Sequence, residues 1–452
     1  MHKSLIAVLL ASAFSLDATA ADLLEVYRQA LANDATFASA RASLQAGMER
    51  VPQARAGLLP SISGSASISR GETETTPWNV GQSITDPATG ETITVGSFDA
   101  DSRSRRYGVS LTQPLFNWAS WQAYQQSKLT QGIIEAQFAQ AQQDLITRVA
   151  QAYFDVLASQ DTLETIRAQK TATTEQLASA KRNFEVGTQT ITDTHEAQAA
   201  YDLVVAQEFA AATDLENKRS ALQSIIGTAP TALAPLKPGV TLAAPQPAVI
   251  DQWVSSAETQ NYAVIGATLN LESAKRDISR NRAGHYPTVN LVADASRVRV
   301  PGQTDNSGTV KSNSVGIQVA IPIFNGFAVT SRVRETIALE DKARNDLEAT
   351  RRNAAQGARV AFAGVNSGLA QVRALEAAEV SSQSALDSNQ LGYQVGVRIN
   401  IDVLNAQRQL FSTRRDLSRA RYDTIVNGLR LKAAAGVLKE SDLEIINALL
   451  QH

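Results

Sequence analysis

Asn183 to Gln198 reads NFEVGTQTITDTHEAQ, and Gly392 to Gln407 reads GYQVGVRINIDVLNAQ. Aligned, they put Gly187 on Gly396, Asp193 on Asp402 and Gln198 on Gln407, a constant spacing of 209 positions. Gly227 and Gly436, each closing a helical pattern, keep that spacing. Upstream, GVSLTQPLFN (Gly108 to Asn117) matches GIQVAIPIFN (Gly316 to Asn325) 208 positions on. RAGLLP (Arg55 to Pro60) matches RAGHYP (Arg282 to Pro287) 227 positions on. Three blocks in one order in both halves identify an internal duplication. The changing spacing puts the insertions between the first two blocks, where Gly, Thr, Asp and Asn concentrate.

Each copy follows one plan. A helical stretch ends at a proline, an alternating segment follows, a polar loop intervenes, and a second alternating segment ends at Pro114 or Pro322. A very long helical stretch then runs to Gly187 or Gly396, and another helix returns. The first copy spans 21–229 and the second 251–440, with 441–452 as a C-terminal segment. Between the copies, the Pro- and Ala-rich stretch TALAPLKPGVTLAAPQP marks a linker over 230–250.

The alternating segments cover about 61–70 and 104–115, then about 287–299 and 312–323. In PSISGSASISR every second residue from Ser61 to Ser69 is serine, while Ile62, Gly64, Ala66 and Ile68 take the other face. Val315, Ile317, Val319, Ile321 and Ile323 likewise oppose Ser314, Gly316, Gln318 and Ala320. Period two is the signature of a strand. A half-buried sheet of a soluble domain would put charge on its polar face, but here that face is small and hydroxylated, as in a water-filled lumen. Aromatics gather where strand meets helix: Phe116, Trp118 and Trp121, then Tyr286, Phe324 and Phe327. Such rings favour a bilayer–water boundary. Four strands cannot close a barrel, since the smallest transmembrane barrels use about eight. An open edge in lipid leaves backbone groups unpaired at several kcal/mol each. The chain must therefore oligomerise; two copies supply eight strands and three supply twelve.

From Ala119 to Val186 there is no proline and only one glycine, Gly132. At ~1.5 Å per residue such a helix is about 100 Å long. Ala328 to Val395 matches it, with Gly357, Gly364 and Gly368 expected to loosen its middle. The flanking helices, about Asp22 to Ala56 and Thr190 to Ile226, are roughly half as long. Small and polar residues at 3-4 spacing suit coiled-coil pairing. After Gly396, the residues Asp402, Asn405, Gln409, Ser412 and Asp416 form a polar stripe. It fits a solvated coiled-coil face and the lining of a tube equally well.

The N-terminus has the layout of a secretory leader over 1–20: His2 and Lys3, the apolar run Leu5 to Leu10, and Ala18-Thr19-Ala20 as a small-x-small cleavage site. That run is too short to span ~30 Å of hydrocarbon. There is no cysteine, which removes thiol catalysis and Cys-based zinc or iron–sulfur sites. A net charge of −2 argues against a nucleic-acid partner.

Together, the leader, the duplication, the paired strands and the two helical hairpins resemble the TolC family of outer-membrane export ducts. The most specific pieces are ITD (Ile191 to Asp193), GYQVGVRINIDVLNA (Gly392 to Ala406) and ARYDTIVNGLRLKAAAGVL (Ala420 to Leu438). The resemblance covers essentially the whole mature chain. It implies an α+β membrane protein: a homotrimer whose four strands per protomer build a 12-stranded outer-membrane β-barrel, continued by a periplasmic α-helical barrel of coiled-coil hairpins. It also implies docking to a periplasmic adaptor (membrane fusion) protein and an inner-membrane transporter, with outer-membrane lipid around the barrel.

The same resemblance assigns Asp402 and Asn405 to the pore constriction. It assigns Thr192 and Asp193 on one hairpin, and Tyr393 and Arg398 on its neighbour, to a gate latch. The tips Val186, Gly187, Thr188, Val395, Gly396 and Val397 become the adaptor contacts. A ring of carboxylates in a narrow pore attracts cations. Relatives of the TolC type carry a second aspartate at Asn405, so this chain is expected to have one acidic ring and weaker cation binding.

The expected function is an exit duct for drugs or type I secreted proteins. The competing class is a periplasmic coiled-coil scaffold without a pore, which needs no alternating strands flanked by aromatics. An enzyme is disfavoured: the four histidines (His2, His195, His285, His452) are scattered, and no HExxH, GxSxG or P-loop spacing occurs. No cofactor is expected.

Overall fold

The computed structural model describes residues 20–451 except Thr231 and 301–307. The leader therefore lies outside the described residues but for Ala20. In chain order the helices and strands are α1 (Leu23–Asn33), α2 (Ala35–Met48), α3 (Arg50–Ala56), β1 (Ser61–Thr75), β2 (Ser83–Thr85), β3 (Thr92–Thr94), β4 (Phe98–Phe116), α4 (Trp118–Glu185) and α5 (Ile191–Ile226). The second copy supplies α6 (Ile250–Gln260), α7 (Tyr262–Arg282), β5 (Thr288–Val300), β6 (Gly308–Ala320), α8 (Ala328–Gln394) and α9 (Asn400–Ala434), and the C-terminal segment supplies α10 (Ser441–Asn447). Among the described residues no helix is long and apolar enough to cross a membrane.

The chain forms two compact units, each drawing on both copies. One comprises 47–131 and 270–344 and holds the sheet. Its strand order is β1-β4-β5-β6, antiparallel throughout, so that one hairpin pair from each copy meets at β4 and β5. The registers sort the side chains cleanly. Ile62, Leu111, Ala293 and Val315 form one row, and the adjacent row on the opposite face is Ser63, Ser110, Asp294 and Ser314. Hydroxyl pairs bridge strands on that second face, Ser63 to Ser110 and Ser69 to Ser104, both at 2.7 Å. The apolar face is uncovered: Ile62, Val315 and Ile317 are 70%, 77% and 66% exposed. Strands β1 and β6 each have a single neighbour in this sheet, which leaves two open edges.

Strand ends follow the prolines unequally. β6 stops at Ala320, two residues before Pro322, whose missing N–H ends the ladder. β4 instead runs past Pro114 to Phe116, with a register shift between those residues that absorbs the proline in a bulge. The alternation at Ile321 and Ile323 therefore lies beyond the strand, where Ile323 is 95% exposed. The first-copy insertion holds a further small hairpin, β2 with β3, that alternation did not reveal.

The other unit comprises 20–46, 132–269 and 345–451 of the described residues and holds the main core. Leu145, Val149, Tyr153, Phe154 and Leu157 of α4 pack with Leu23 and Val26 of α1, Leu222 and Ile226 of α5, and Tyr422 and Leu429 of α9. Each such large side chain, fully buried, contributes ~1.5–3 kcal/mol. The Pro- and Ala-rich linker is part of this packing. Leu233 bridges to Ala21 and Leu236 to Leu450, so the linker is stitched to both ends of the described residues. Tyr153 locks the arrangement, its hydroxyl donating to the carbonyls of Ala234 (2.8 Å) and Ala21 (3.2 Å).

The expected helix over Asp22 to Ala56 is three helices. It breaks at Asp34, whose backbone turns extended while its carboxylate accepts from the Phe37 N–H at 2.6 Å and from Arg148 at 3.0 Å. The second copy breaks at the corresponding Asn261. Both copies use an asparagine at the break to cap the last carbonyl of the returning helix: Asn33 donates to Ile226 O (2.8 Å) and Asn261 to Ala434 O (3.0 Å). Opposite each stands a glycine of positive φ, Gly227 (78°) and Gly436 (75°), against which the asparagine segment packs.

The three glycines of α8 do not loosen it; the helix runs unbroken from Ala328 to Gln394. A Cβ on Gly368 would lie 2.5 Å from Thr424 Oγ1, so this glycine allows α8 and α9 to approach closely. Gly364 sits over Asn427 at 3.8 Å, and Gly357 has nothing within 4 Å.

Candidate functional site

The hairpin tips are built twice by the same local rule. After α4, Gly187 adopts φ 74° and the Thr188 N–H donates to Asn183 O at 2.9 Å; after α8, Gly396 adopts φ 78° and the Val397 N–H donates to Gly392 O at 2.8 Å. A left-handed residue closed by such a bond is a glycine helix cap. It turns the chain within a few residues and leaves Val186, Val395 and Val397 pointing into solvent, 72%, 65% and 77% exposed.

Beyond the tips the two return helices begin differently. Thr190 and Asp193 form a capping box at the start of α5: the Asp193 carboxylate accepts from the Thr190 N–H (3.0 Å) and hydroxyl (2.8 Å). At the start of α9 the box is absent, and Arg398 reaches Asp402 at 3.7 Å. The Arg398 stem crosses Gly392 closely: a Cβ there would lie 2.7 Å from its Cγ.

Asn400, which sequence reasoning passed over, joins the two hairpins. Fully buried, it donates from Nδ2 to the Asp193 carbonyl (3.1 Å) and accepts from Gln176 Nε2 (2.7 Å). Tyr393 adds a second tie, its hydroxyl donating to Gln189 Oε1 at 2.7 Å. Its ring packs with Leu386, Val403 and Leu410, the apolar seam between α8 and α9. Among Asn400, Asp402 and Asn405 at the start of α9, nothing in the sequence singles out Asn400 as the buried one.

Within one protomer the four latch residues do not pair with one another. Asp193 caps its own helix, Arg398 serves Asp402, Tyr393 reaches Gln189, and Thr192 is exposed. Asp402 is half-buried and Asn405 is exposed one turn along α9, where Arg408 donates to its amide oxygen. Gln409 and Asp416 of the polar stripe are exposed as well, away from the seam that buries Val403, Leu410 and Leu417.

The profile of the outer membrane efflux protein family matches residues 26–228 and 253–437, taking in both copies and omitting the linker. The chain belongs to that family. It is 32% identical to outer membrane protein TolC of Vibrio cholerae over 95% of this chain and 94% of that one. It is 31% identical to the alkaline protease secretion protein AprF of Pseudomonas aeruginosa, covering 96% of this chain and 88% of AprF. The solved structure of VceC, an outer membrane protein from Vibrio cholerae, shares the fold with a TM-score of 0.75 at 18% identity, covering 92% of this chain and 96% of VceC. As a family member this protein is an outer-membrane exit duct with a periplasmic extension, serving efflux and type I secretion.

Proposed function

We propose that this chain is one protomer of a trimeric duct, gated at its hairpin tips, that receives small molecules and secreted polypeptides from an inner-membrane transporter. The carrying observation is the open sheet. Among the described residues β1 and β6 each have a strand on one side only while the apolar face is uncovered, so only further copies of the same sheet satisfy both demands in lipid. Three copies give twelve strands around a hydroxyl-lined lumen. A cargo range that includes polypeptides is supported by the likeness to AprF, a protease secretion protein. The duct is passive and carries no catalysis of its own.

In this reading Asp402 and Asn405 line the constriction, and Thr192, Asp193, Tyr393 and Arg398 latch neighbouring hairpins by charge-assisted and phenolic hydrogen bonds. The exposed valines around Gly187 and Gly396 receive the periplasmic adaptor. The leader is removed after Ala20. Asn400 sets the resting state by holding the two hairpins of one protomer together.

Two measurements test this. Mass determination of the purified protein in detergent is expected to return three chains, and a stable dimer would refute the trimer. In planar bilayers, Asn400→Ala removes two buried hydrogen bonds worth about 1–3 kcal/mol, so conductance should rise above wild type. Unchanged conductance would remove Asn400 from the gate, and absence of any channel would favour a poreless scaffold.

A further inference from the structure

The apolar face of the sheet ends in a band of cations. Moving away from the helical turns, its rows across β1, β4, β5 and β6 are Ile62–Leu111–Ala293–Val315 and then Gly64–Val109–Ala295–Asn313. The next is Ala66–Tyr107–Arg297–Lys311, followed by Ile68–Arg105–Arg299–Thr309. Arg70 stands opposite Arg103 one row further, before Glu72 opposite Asp101 ends the run. The hydroxyl face has no such band: Ser65–Gly108–Ser296–Ser312 precedes Ser67–Arg106–Val298–Val310, with a single cation.

The level of the band matches a membrane boundary. Val289 and Arg297 are separated by eight residues of β5, roughly 26 Å along a strand. At the usual tilt of about 40° this is roughly 20 Å of membrane depth, near the ~25 Å apolar belt of such barrels. Tyr107, in the same row as Arg297 and Lys311, is the kind of aromatic that marks that boundary. The aromatics Phe116 and Tyr286 sit at the other end of the strands, next to the periplasmic helices. The cations therefore lie toward the outer leaflet.

Arg105, Arg297 and Lys311 are exposed, and among the described residues none has a carboxylate partner. Small residues Gly64, Ala66 and Ala295 floor a depression of about 610 Å³ bordered by Tyr107, Arg297 and Lys311. Guanidinium forks bind phosphate oxygens in pairs, and an ammonium supplies a further point charge. We propose that this depression binds the phosphate-bearing headgroup of an outer-leaflet lipid, with the acyl chains along Val109, Leu111 and Val315. Charge complementarity selects the headgroup and the adjoining apolar rows select a lipid over a soluble anion. The inference rests on the reading that this face of the sheet meets lipid.

The test uses the full chain in detergent and native mass spectrometry with three probes: a diphosphorylated glucosamine lipid, the same lipid dephosphorylated, and inorganic phosphate. Wild type is expected to retain the phosphorylated lipid at least about tenfold more tightly than the dephosphorylated one, a difference of about 1.4 kcal/mol, and to retain inorganic phosphate weakly. The triple variant Arg105→Gln, Arg297→Gln, Lys311→Gln should lose that preference, while Arg106→Gln on the opposite face keeps it. Equal retention of both lipids by wild type overturns the proposal, as does a preference that survives the triple variant or vanishes in Arg106→Gln. The two-lipid comparison on wild type decides even if the triple variant fails to assemble. Channels of normal conductance without lipid preference sink this inference alone, whereas absence of channels sinks the duct reading beneath it.

Discussion

On α9, Asp402 lies 3.7 Å from Arg398, and Asn405 accepts a hydrogen bond from Arg408. The two positions that the resemblance assigns to a constriction thus each have a guanidinium group one helical turn away, at i,i+4 and i,i+3 spacing. Asn405→Asp should strengthen block of single-channel current by multivalent cations only modestly, because Arg408 is positioned to neutralise the new carboxylate. The double change with Arg408→Gln should strengthen it much further, and Asp402→Asn should weaken it. A cation titration that leaves the double variant at the wild-type level would remove these residues from the constriction. At the core, burial pushes the Asp34 carboxyl up, but bonds from Arg148 and the Phe37 N–H outweigh this and hold its pKa below the ordinary value. A depressed carboxylate stabilises the fold above its unfolded pKa of about 3.9, and that stability disappears as pH falls through the lower folded value. Asp34→Asn should therefore lower the thermal midpoint in detergent at neutral pH and narrow its gap to wild type in strong acid. A gap unchanged between the two conditions would contradict this.

Helices α8 and α9 test how packing uses small residues. The Gly368→Ala methyl would meet buried Thr424 at 2.5 Å, and overpacking of this kind costs about 1–3 kcal/mol. Gly357→Ala has open space and should gain up to about 1 kcal/mol of helix propensity. Thermal unfolding should move the two variants in opposite directions; equal gains would mean that propensity and not contact governs this seam. The long helices were legible because an absence of proline over nearly seventy residues is visible in the sequence itself. The breaks at Asp34 and Asn261 were not, because each is one residue whose helix-ending turn is supported by remote partners, Arg148 and the end of α5 or α9. Likewise Pro114 and Pro322 look alike in sequence, but a bulge between β4 and β5 carries the first strand past its proline.

The duplication, the strand alternation and the return helices were all readable because each is a periodic or repeated signal. The Asn400 tie and the linker's pairing with both ends of the described residues were hidden because they join residues about two hundred positions apart or more. What the assembled duct adds is a distinction between the two faces of one sheet. A lysine at the lipid-facing midplane of a barrel costs about 2–4 kcal/mol, whereas a lumen position tolerates it. Val315→Lys lies in the apolar row with Ile62 and Leu111, and its neighbour Ser314→Lys in the hydroxyl row with Ser63 and Ser110. Only the first should block assembly into the detergent-stable oligomer. The second should assemble and, by placing a ring of ammonium groups beside Asp294 in the lumen, shift single-channel selectivity toward anions. If both variants assemble equally well, the apolar face does not meet lipid. If the effects are exchanged, the faces are reversed, and the hydroxyl rows rather than the isoleucine and valine rows line the membrane.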